Sequence, residues 1–305
     1  AHTAPELGEW AAYFAAGDHK SVREHLEHAA TDAEAAGDQV MMAEIAMQQG
    51  HDLIQYGGSM TEAIRFSERA LDIATRLDDE ALAYGARFSI GQAYWITGHF
   101  AEGIRVLTAN LPENLQDPER VRDFGTTGSL MMDSLSILGA CYAYRGDFGQ
   151  STALLTRALG LVTSAAFDFS VVQYHLNRAH LQRGDAAIAL PLLVKAVRHA
   201  TEAGLKFTLP WHLGLIGYAR GLLGDIDQGA EDLARAITES EQLGLPQVKG
   251  FASGFLAELL VGREQQQAFE LADKALTIAR ANGYRAQEAE LLRVKGAALG
   301  AINPV

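Results

Sequence analysis

A glycine that returns about every forty residues limits what this chain can fold into more than any other feature of the sequence. Gly17, Gly58, Gly98, Gly146, Gly184, Gly224 and Gly262 are separated by 41, 40, 48, 38, 40 and 38 residues. Twelve positions after each comes a second, mostly small residue: Ala29, Ala70, Asn110, Ala158, Ala196, Ala236 and, one out of step, Ala275. Two markers holding one period indicate a single supersecondary unit stacked many times, because such a unit cannot bury its apolar face alone.

The unit is clearest over residues 139–159, GACYAYRGDFGQSTALLTRAL. Gly139, Ala143 and Ala158 fall where two helices must cross closely, and Tyr142, Phe148 and Leu155 fall where the space between them must be filled. Gly146 can take the left-handed conformation that ends one helix, and Asp147 can cap the free N–H groups of the next. Gly17-Asp18, Gly184-Asp185 and Gly224-Asp225 repeat that pair, and Ala203-Gly204-Leu205, Leu243-Gly244-Leu245-Pro246 and Asn282-Gly283 separate one hairpin from the next. The pattern predicts helix pairs at 5–36, 38–77, 79–110, 128–164, 167–203, 206–243 and 246–282, followed by a lone helix over 284–299. In that last helix Arg285, Glu288, Arg293 and Lys295 are expected to face water while Leu291, Leu292 and Leu299 cover the preceding hairpin. The whole of 1–299 reads as one helical-repeat domain with a loop insertion at 111–127 and a frayed tail at 300–305.

Composition agrees with an all-α class: 48% of residues are hydrophobic but Ala, Leu and Gly dominate them, and there are only 7 prolines. A formal net charge of −13 with no basic block would repel a phosphate backbone, which argues against a nucleic-acid partner. No apolar run reaches the length that spans a bilayer, so no membrane partner is expected. Cys141 is the single cysteine, on an apolar helix face, which excludes a disulfide within the chain and suits a cytoplasmic setting with a buried, inert thiol.

Gly91, Tyr94, Gly98, Phe100 and Leu107, and again Gly139, Tyr142, Gly146, Phe148, Leu155 and Ala158, stand at the signature positions of the tetratricopeptide repeat, and over nearly its whole length the chain resembles that family. The resemblance implies a right-handed superhelix of about seven helix hairpins with a C-terminal capping helix. His51, Asn177 and Leu256 depart from the small residue of the first helix, and Asn110 from the alanine of the second. The period of about 40 is similar to that of the effector-binding repeats of the maltose regulator and its relatives. The interrupted third pair at 110–128, followed by AHLQRGDAAIALPLLVKAV and GLKFTLPWHLGLIGYARGLLGD, is similar to the C-terminal repeats of bacterial class III nucleotide cyclases that carry an ATPase module. This likeness implies a regulatory segment of a bacterial signalling protein, with the catalytic parts elsewhere.

No catalytic set stands out, so an enzyme is not expected. The phosphate-loop pattern is absent, and Gly125–Ser129 lacks its lysine and reads as a turn. His25 and His28, three apart on one helix, offer two of the four ligands a structural zinc wants and read as surface residues, so no metal or other cofactor is expected. His175 and His180 fall on different faces of a helix. His212, beside Trp211, reads as a packing residue.

Binding is the positive expectation. The first helix of each pair lines the concave wall of such a superhelix, and the repeat alignment carries the family's groove positions onto Gln48, Asp52, Gln55 and Tyr56, then Phe88, Gln92 and Trp95. Asp133, Ser136 and Tyr144 come next, then Tyr174, Arg178 and Gln182, and finally Trp211 and Tyr218. This set is richer in aromatic and amide side chains than the chain as a whole, in which aromatics are 8%. It suits a peptide, a partner protein or a small polar effector, aromatic planes giving contact area and amides giving directional bonds. The same residues could instead fill gaps between helices. Phe124, in the insertion, could fold over the groove mouth. An alternative is a stand-alone binding protein or enzyme with a pocket enclosed around Trp95, Tyr174, Arg178 and Trp211. An open channel along the array would favour peptide docking, and an enclosed cavity of a few hundred cubic ångströms would favour the small ligand.

Overall fold

A computed structural model describes residues 19–111, 129–162 and 166–302. The first helix of the first pair, the Gly17-Asp18 turn, most of the 111–127 insertion with Phe124, and the last three residues of the tail lie outside the described residues. Within them the chain forms α1 (His19–Ala36), α2 (Gln39–Tyr56), α3 (Met60–Leu77), α4 (Glu80–Ile96), α5 (Phe100–Thr108), α6 (Leu130–Tyr144) and α7 (Phe148–Leu161). There follow α8 (Ala166–Arg183), α9 (Ala186–Glu202), α10 (Leu209–Leu222), α11 (Ile226–Gln242), α12 (Pro246–Leu260), α13 (Gln265–Ala281) and α14 (Arg285–Ile302). The described residues contain no strand, and each helix packs on the next to build six complete hairpins from α2–α3 to α12–α13.

The repeat chemistry works at the helix crossings. A Cβ added to Gly139 on α6 would lie 2.6 Å from Leu155 Cγ on α7, and one added to Gly91 on α4 would lie 2.5 Å from Leu107 Cγ on α5. The glycine opens the space and a leucine sixteen residues later fills it, fully buried in both pairs. The first α2–α3 turn shifts the predicted register by one: Gly57, at φ +85°, supplies the positive φ in place of Gly58. Gly50 is therefore the crossing residue of that pair, its Cα facing the Ala63 carbonyl and Ser67, and the expected departure at His51 disappears. Asn110 does depart from alanine: its Nδ2 donates to the Tyr84 carbonyl at 2.9 Å and ties the end of α5 back to α4.

The glycines of the other Gly-Asp turns adopt positive φ as their chemistry requires, but the aspartates behave differently from expectation. Asp147, Asp185 and Asp225 stand at the N-caps of α7, α9 and α11, but their side chains accept no hydrogen bond from the helix backbone. Asp185 is instead engaged by Arg183. Side-chain capping falls to Asp38, Ser59 and Asp79, which receive the backbone N–H groups of Met41, Glu62 and Leu82.

Inner and outer helices differ in how they are buried. The outer helix α3 hides one stripe, Met60, Ala63, Ser67, Ala70, Ile73 and Ala74, at the spacing of a single helix face. The inner helix α4 is buried almost all round, from Leu82 to Ile96, and α6 likewise from Leu130 to Ala143. An inner wall buried on both sides follows from the curvature of the array, which brings its ends together. The helix α12 reaches α2 and α14 reaches α4. At this seam the backbone of Gly57 passes so close to Asn282 and Pro246 that an added Cβ would lie 2.4 Å from Asn282 Oδ1. Tyr284 and Leu291 share one apolar cluster with Ile54, Met60 and Ile96.

The last helix consequently has two working faces. Gln287, Leu291, Val294 and Ala298 are buried along one line, whereas Leu292 and Leu299, expected to cover the preceding hairpin, are about half exposed. The phase of the 3.6-residue period decides between adjacent leucines: Leu291 lies in line with Gln287, Val294 and Ala298, and Leu292 does not.

Candidate functional site

The inner helices bring part of the expected groove into one continuous network. Trp95 on α4 meets His175 on α8 edge-on, with ring centroids 5.3 Å apart, and Tyr174 meets both His175 and Trp211 at 4.9 Å. Edge-to-face contacts of this kind hold rings in place while leaving little free face for a guest. Trp95, Tyr174 and Phe88 are buried, so these aromatics join the interior. Ser136 and Gln48 are buried as well, and Asp52, also buried, accepts from Arg23 Nε of α1 at 2.6 Å. Gln55 and Tyr56 are partly buried beyond them, at the α2 end of the wall. This α2 group and the Asp133–Asp168 pair lie apart from the cavity described next. Burial first, and then the Asp168 carboxylate, push Asp133 up to about 7.

Arg178 organises the other end of the wall. Its side chain is only 4% exposed, its guanidinium stacks over the Phe251 ring at 3.9 Å, and Phe255 lies slightly farther off. Nη2 donates to the Tyr144 hydroxyl, and Tyr144 in turn stacks on Phe100 with centroids 4.8 Å apart. The same nitrogen reaches the Glu290 carboxylate of α14 at 3.4 Å, longer than a well-made charged hydrogen bond. Nε and Nη1 of Arg178 meet no acceptor in hydrogen-bonding geometry among the described residues, although both are buried. Such donors are costly to bury unpaired.

Arg178 also lines a cavity of about 270 Å³ between α8, α10, α12 and α14. Gln182 and Tyr218, both expected groove residues, line it too, whereas Trp95, Tyr174 and Trp211 do not. One wall is apolar, with Leu181, Leu215, Phe251 and Phe255, and the stacked pair Tyr218–Phe255 has centroids 4.2 Å apart. The other is charged: Glu258 accepts from the Tyr218 hydroxyl at 3.0 Å and from Arg293 Nη2 at 2.7 Å, and Glu290 faces Arg178. Phe251, Phe255, Glu258, Glu290 and Arg293 were not legible as site residues. The seventh pair and the lone helix carry no groove expectation, and Arg293 reads in sequence as a water-facing flank. The signal available was the pair Gly250 and Gly254 on the inner face of α12, where α14 comes so close that an added Cβ would lie 2.7 Å from Gln287 Oε1 and 2.8 Å from Leu291 Cδ2.

The buried imidazoles are neutral packing groups. Burial, with the Arg178 guanidinium beside it, pushes His175 down to about 3, and burial followed by the neighbouring His199 pushes His212 down to about 4. His212 Nε2 lies 2.8 Å from Ser170 Oγ, which donates to Thr208 Oγ1, but His212 Nδ1 meets no acceptor and both residues are buried. A nucleophile–base pair needs an orienting partner and access to substrate, and this pair has neither. Cys141 is fully buried, and burial pushes its thiol up to about 12. Among the described residues no three His, Cys, Asp or Glu side chains converge on a possible metal site, and no helix is long and apolar enough to cross a membrane.

No protein-family model matches this sequence, and no curated protein sequence matches it either. Solved structures do. A Rap protein complexed with competence and sporulation factor is 11% identical and superposes over 97% of this chain and 98% of its own, with a TM-score of 0.56. The Rap conjugation gene regulator of the plasmid pLS20, in complex with the Phr* peptide, is 11% identical over 97% and 94%, with a TM-score of 0.55. A signal-transduction ATPase with a tetratricopeptide repeat sensor, PH0952 from Pyrococcus horikoshii, is 12% identical over 96% of this chain, with a TM-score of 0.58. The chain spans 43% of that protein's length. At these identities the likeness is one of fold, and the fold is an all-α, tetratricopeptide-repeat-like superhelix.

Proposed function

We propose that this chain is a non-enzymatic recognition module that takes a small polar ligand into its closed interior, at the cavity between α8, α10, α12 and α14. The observation that carries this reading is the geometry of the inner wall. Its aromatics are packed against one another, and beside them among the described residues lies a cavity near the lower limit of small-molecule sites, with charged groups on one side and aromatic faces on the other. Occupancy would tie α8 to α12 and α14 across the interior, as Arg178 and Glu290 already do, so a bound ligand would favour the arrangement in which α14 lies over the inner wall. We infer that this bias is the module's output, passed to a neighbouring domain or partner of a bacterial signalling protein in the cytoplasm, which is what the sequence resemblance to cyclase-associated and maltose-regulator repeats would imply.

A peptide or partner protein is the second reading. It is favoured by the whole-chain likeness to Rap superhelices described with competence and sporulation factor and with the Phr* peptide. Thermal unfolding against panels of sugars, nucleotides, amino acids and short peptides separates the two, since a ligand that binds only the folded state raises the midpoint by mass action. The first reading expects a metabolite-sized compound to raise it and Phe251→Ala, which strips the cavity wall, to remove the effect. A midpoint that responds to peptides alone, and equally in Phe251→Ala, contradicts it.

A further inference from the structure

The cavity also indicates which small ligand it would hold, an inference that rests on the interior site proposed above. Its charged groups form two ion pairs in different condition. Glu258 is fully engaged, receiving Arg293 at 2.7 Å and the Tyr218 hydroxyl at 3.0 Å. Arg178 and Glu290 are less so: they face each other at 3.4 Å, and Arg178, whose Nη2 donates to Tyr144 and whose guanidinium also neighbours the Tyr174 hydroxyl, keeps Nε and Nη1 without an acceptor in good hydrogen-bonding geometry although its side chain is only 4% exposed. The cavity therefore presents a cation with two N–H groups lacking a good acceptor and an under-used carboxylate side by side, with net charge balanced. A simple anion would satisfy Arg178 but crowd Glu290, and a simple cation would do the reverse, since like charges at contact distance repel. A molecule carrying both charges on neighbouring atoms fits both groups at once. The rest of the lining, Leu181, Leu215, Phe251 and Phe255, is apolar and would receive an uncharged side chain.

We propose that the cavity binds the zwitterionic head of a free α-amino acid with an apolar or aromatic side chain. The carboxylate accepts from the free N–H groups of Arg178, the ammonium donates to Glu290, and the side chain lies along Phe251 and Phe255. A peptide separates its two terminal charges by at least one further residue and cannot place both on this pair.

Isothermal titration of the full chain with L-leucine and L-phenylalanine tests the assignment, with isocaproate and isoamylamine as leucine analogues lacking the ammonium or the carboxylate, and leucyl-leucine as the peptide. The expected result is saturable binding of one or both amino acids, at least roughly tenfold weaker binding of either analogue, and a similar loss in Arg178→Lys and Glu290→Gln, as expected when a charge-assisted hydrogen bond is removed. Glu290, partly exposed on α14, tests the site even if the Arg178 variant fails to fold, which circular dichroism reports. Equal binding of isocaproate and leucine overturns the zwitterion in favour of a plain anion. Leucyl-leucine binding tighter than leucine overturns it in favour of a peptide end. No binding of any of these at millimolar concentration also overturns it. If a sugar or nucleotide then raises the unfolding midpoint, the interior-site reading stands and only the amino-acid assignment falls.

Discussion

Gly139 and Gly296 are both helical glycines, and the structure predicts opposite effects for the same substitution. A Cβ at Gly139 meets three Leu155 carbons between 2.6 and 2.9 Å, in a packed crossing where the leucine is fully buried. Gly139→Ala should cost about 1–3 kcal/mol in urea unfolding, the usual effect of overfilling a core. Gly296 on α14 has nothing within 4 Å of an added Cβ, so Gly296→Ala should stabilise by roughly 0.5–1 kcal/mol through helix propensity alone. Leu155→Ala removes the filling side of the crossing and should cost about 2–5 kcal/mol. Equal and small effects at Gly139 and Gly296 would show that the crossing is looser than described.

The inner helices carry their own titration signature. His175 and His212, on α8 and α10, are held at about 3 and 4 against an ordinary value of 6.5, and His51 on α2 at about 4, in each case chiefly by burial. Because the unfolded chain takes up these protons first, stability present at pH 7 is lost as pH falls from about 6.5 towards 4. Asp133 on α6 acts in the opposite sense. Its folded value of about 7 lies above the ordinary 3.8, so it favours the fold at low pH and that contribution declines as pH rises through 7. Urea unfolding at pH 5 and 7 should show a net loss at the lower pH, and His175→Gln should reduce the difference. Asp133→Asn should enlarge it, and a His175→Gln profile as steep as the parent's would refute the assignment. At this scale the sequence was readable where the signal is local. The Gly-Asp turns and the Gly139–Leu155 crossing place most helices within a few residues. Residues of α14 were half readable, since Leu291 and Leu292 are adjacent leucines whose roles depend on helical phase against Gln287, Val294 and Ala298.

For the whole molecule, the property that matters is closure, and it left no local trace. A repeat array holds together through neighbouring units, and its period says nothing about whether the ends meet. Arg178 and Glu290 are 112 residues apart in sequence, and the Trp95–His175 contact spans two hairpins. The groove residues could therefore be assigned to the inner wall from the repeat, while the packing of that wall and the cavity against α12 and α14 could not. Gly98, after α4, and Arg285, opening α14, lie against each other at this seam, with an added Gly98 Cβ 3.9 Å from the Arg285 Cβ. That separation matches the spacing across a disulfide, and a cysteine at Gly98 would hold a φ of +79° at a cost of about 1–2 kcal/mol. A Gly98→Cys, Arg285→Cys double variant tests the closure directly by non-reducing electrophoresis and peptide mapping after mild oxidation. The closed superhelix predicts an intrachain disulfide at high yield in the folded, dilute protein, whereas an open array would leave both thiols free or join them only between molecules.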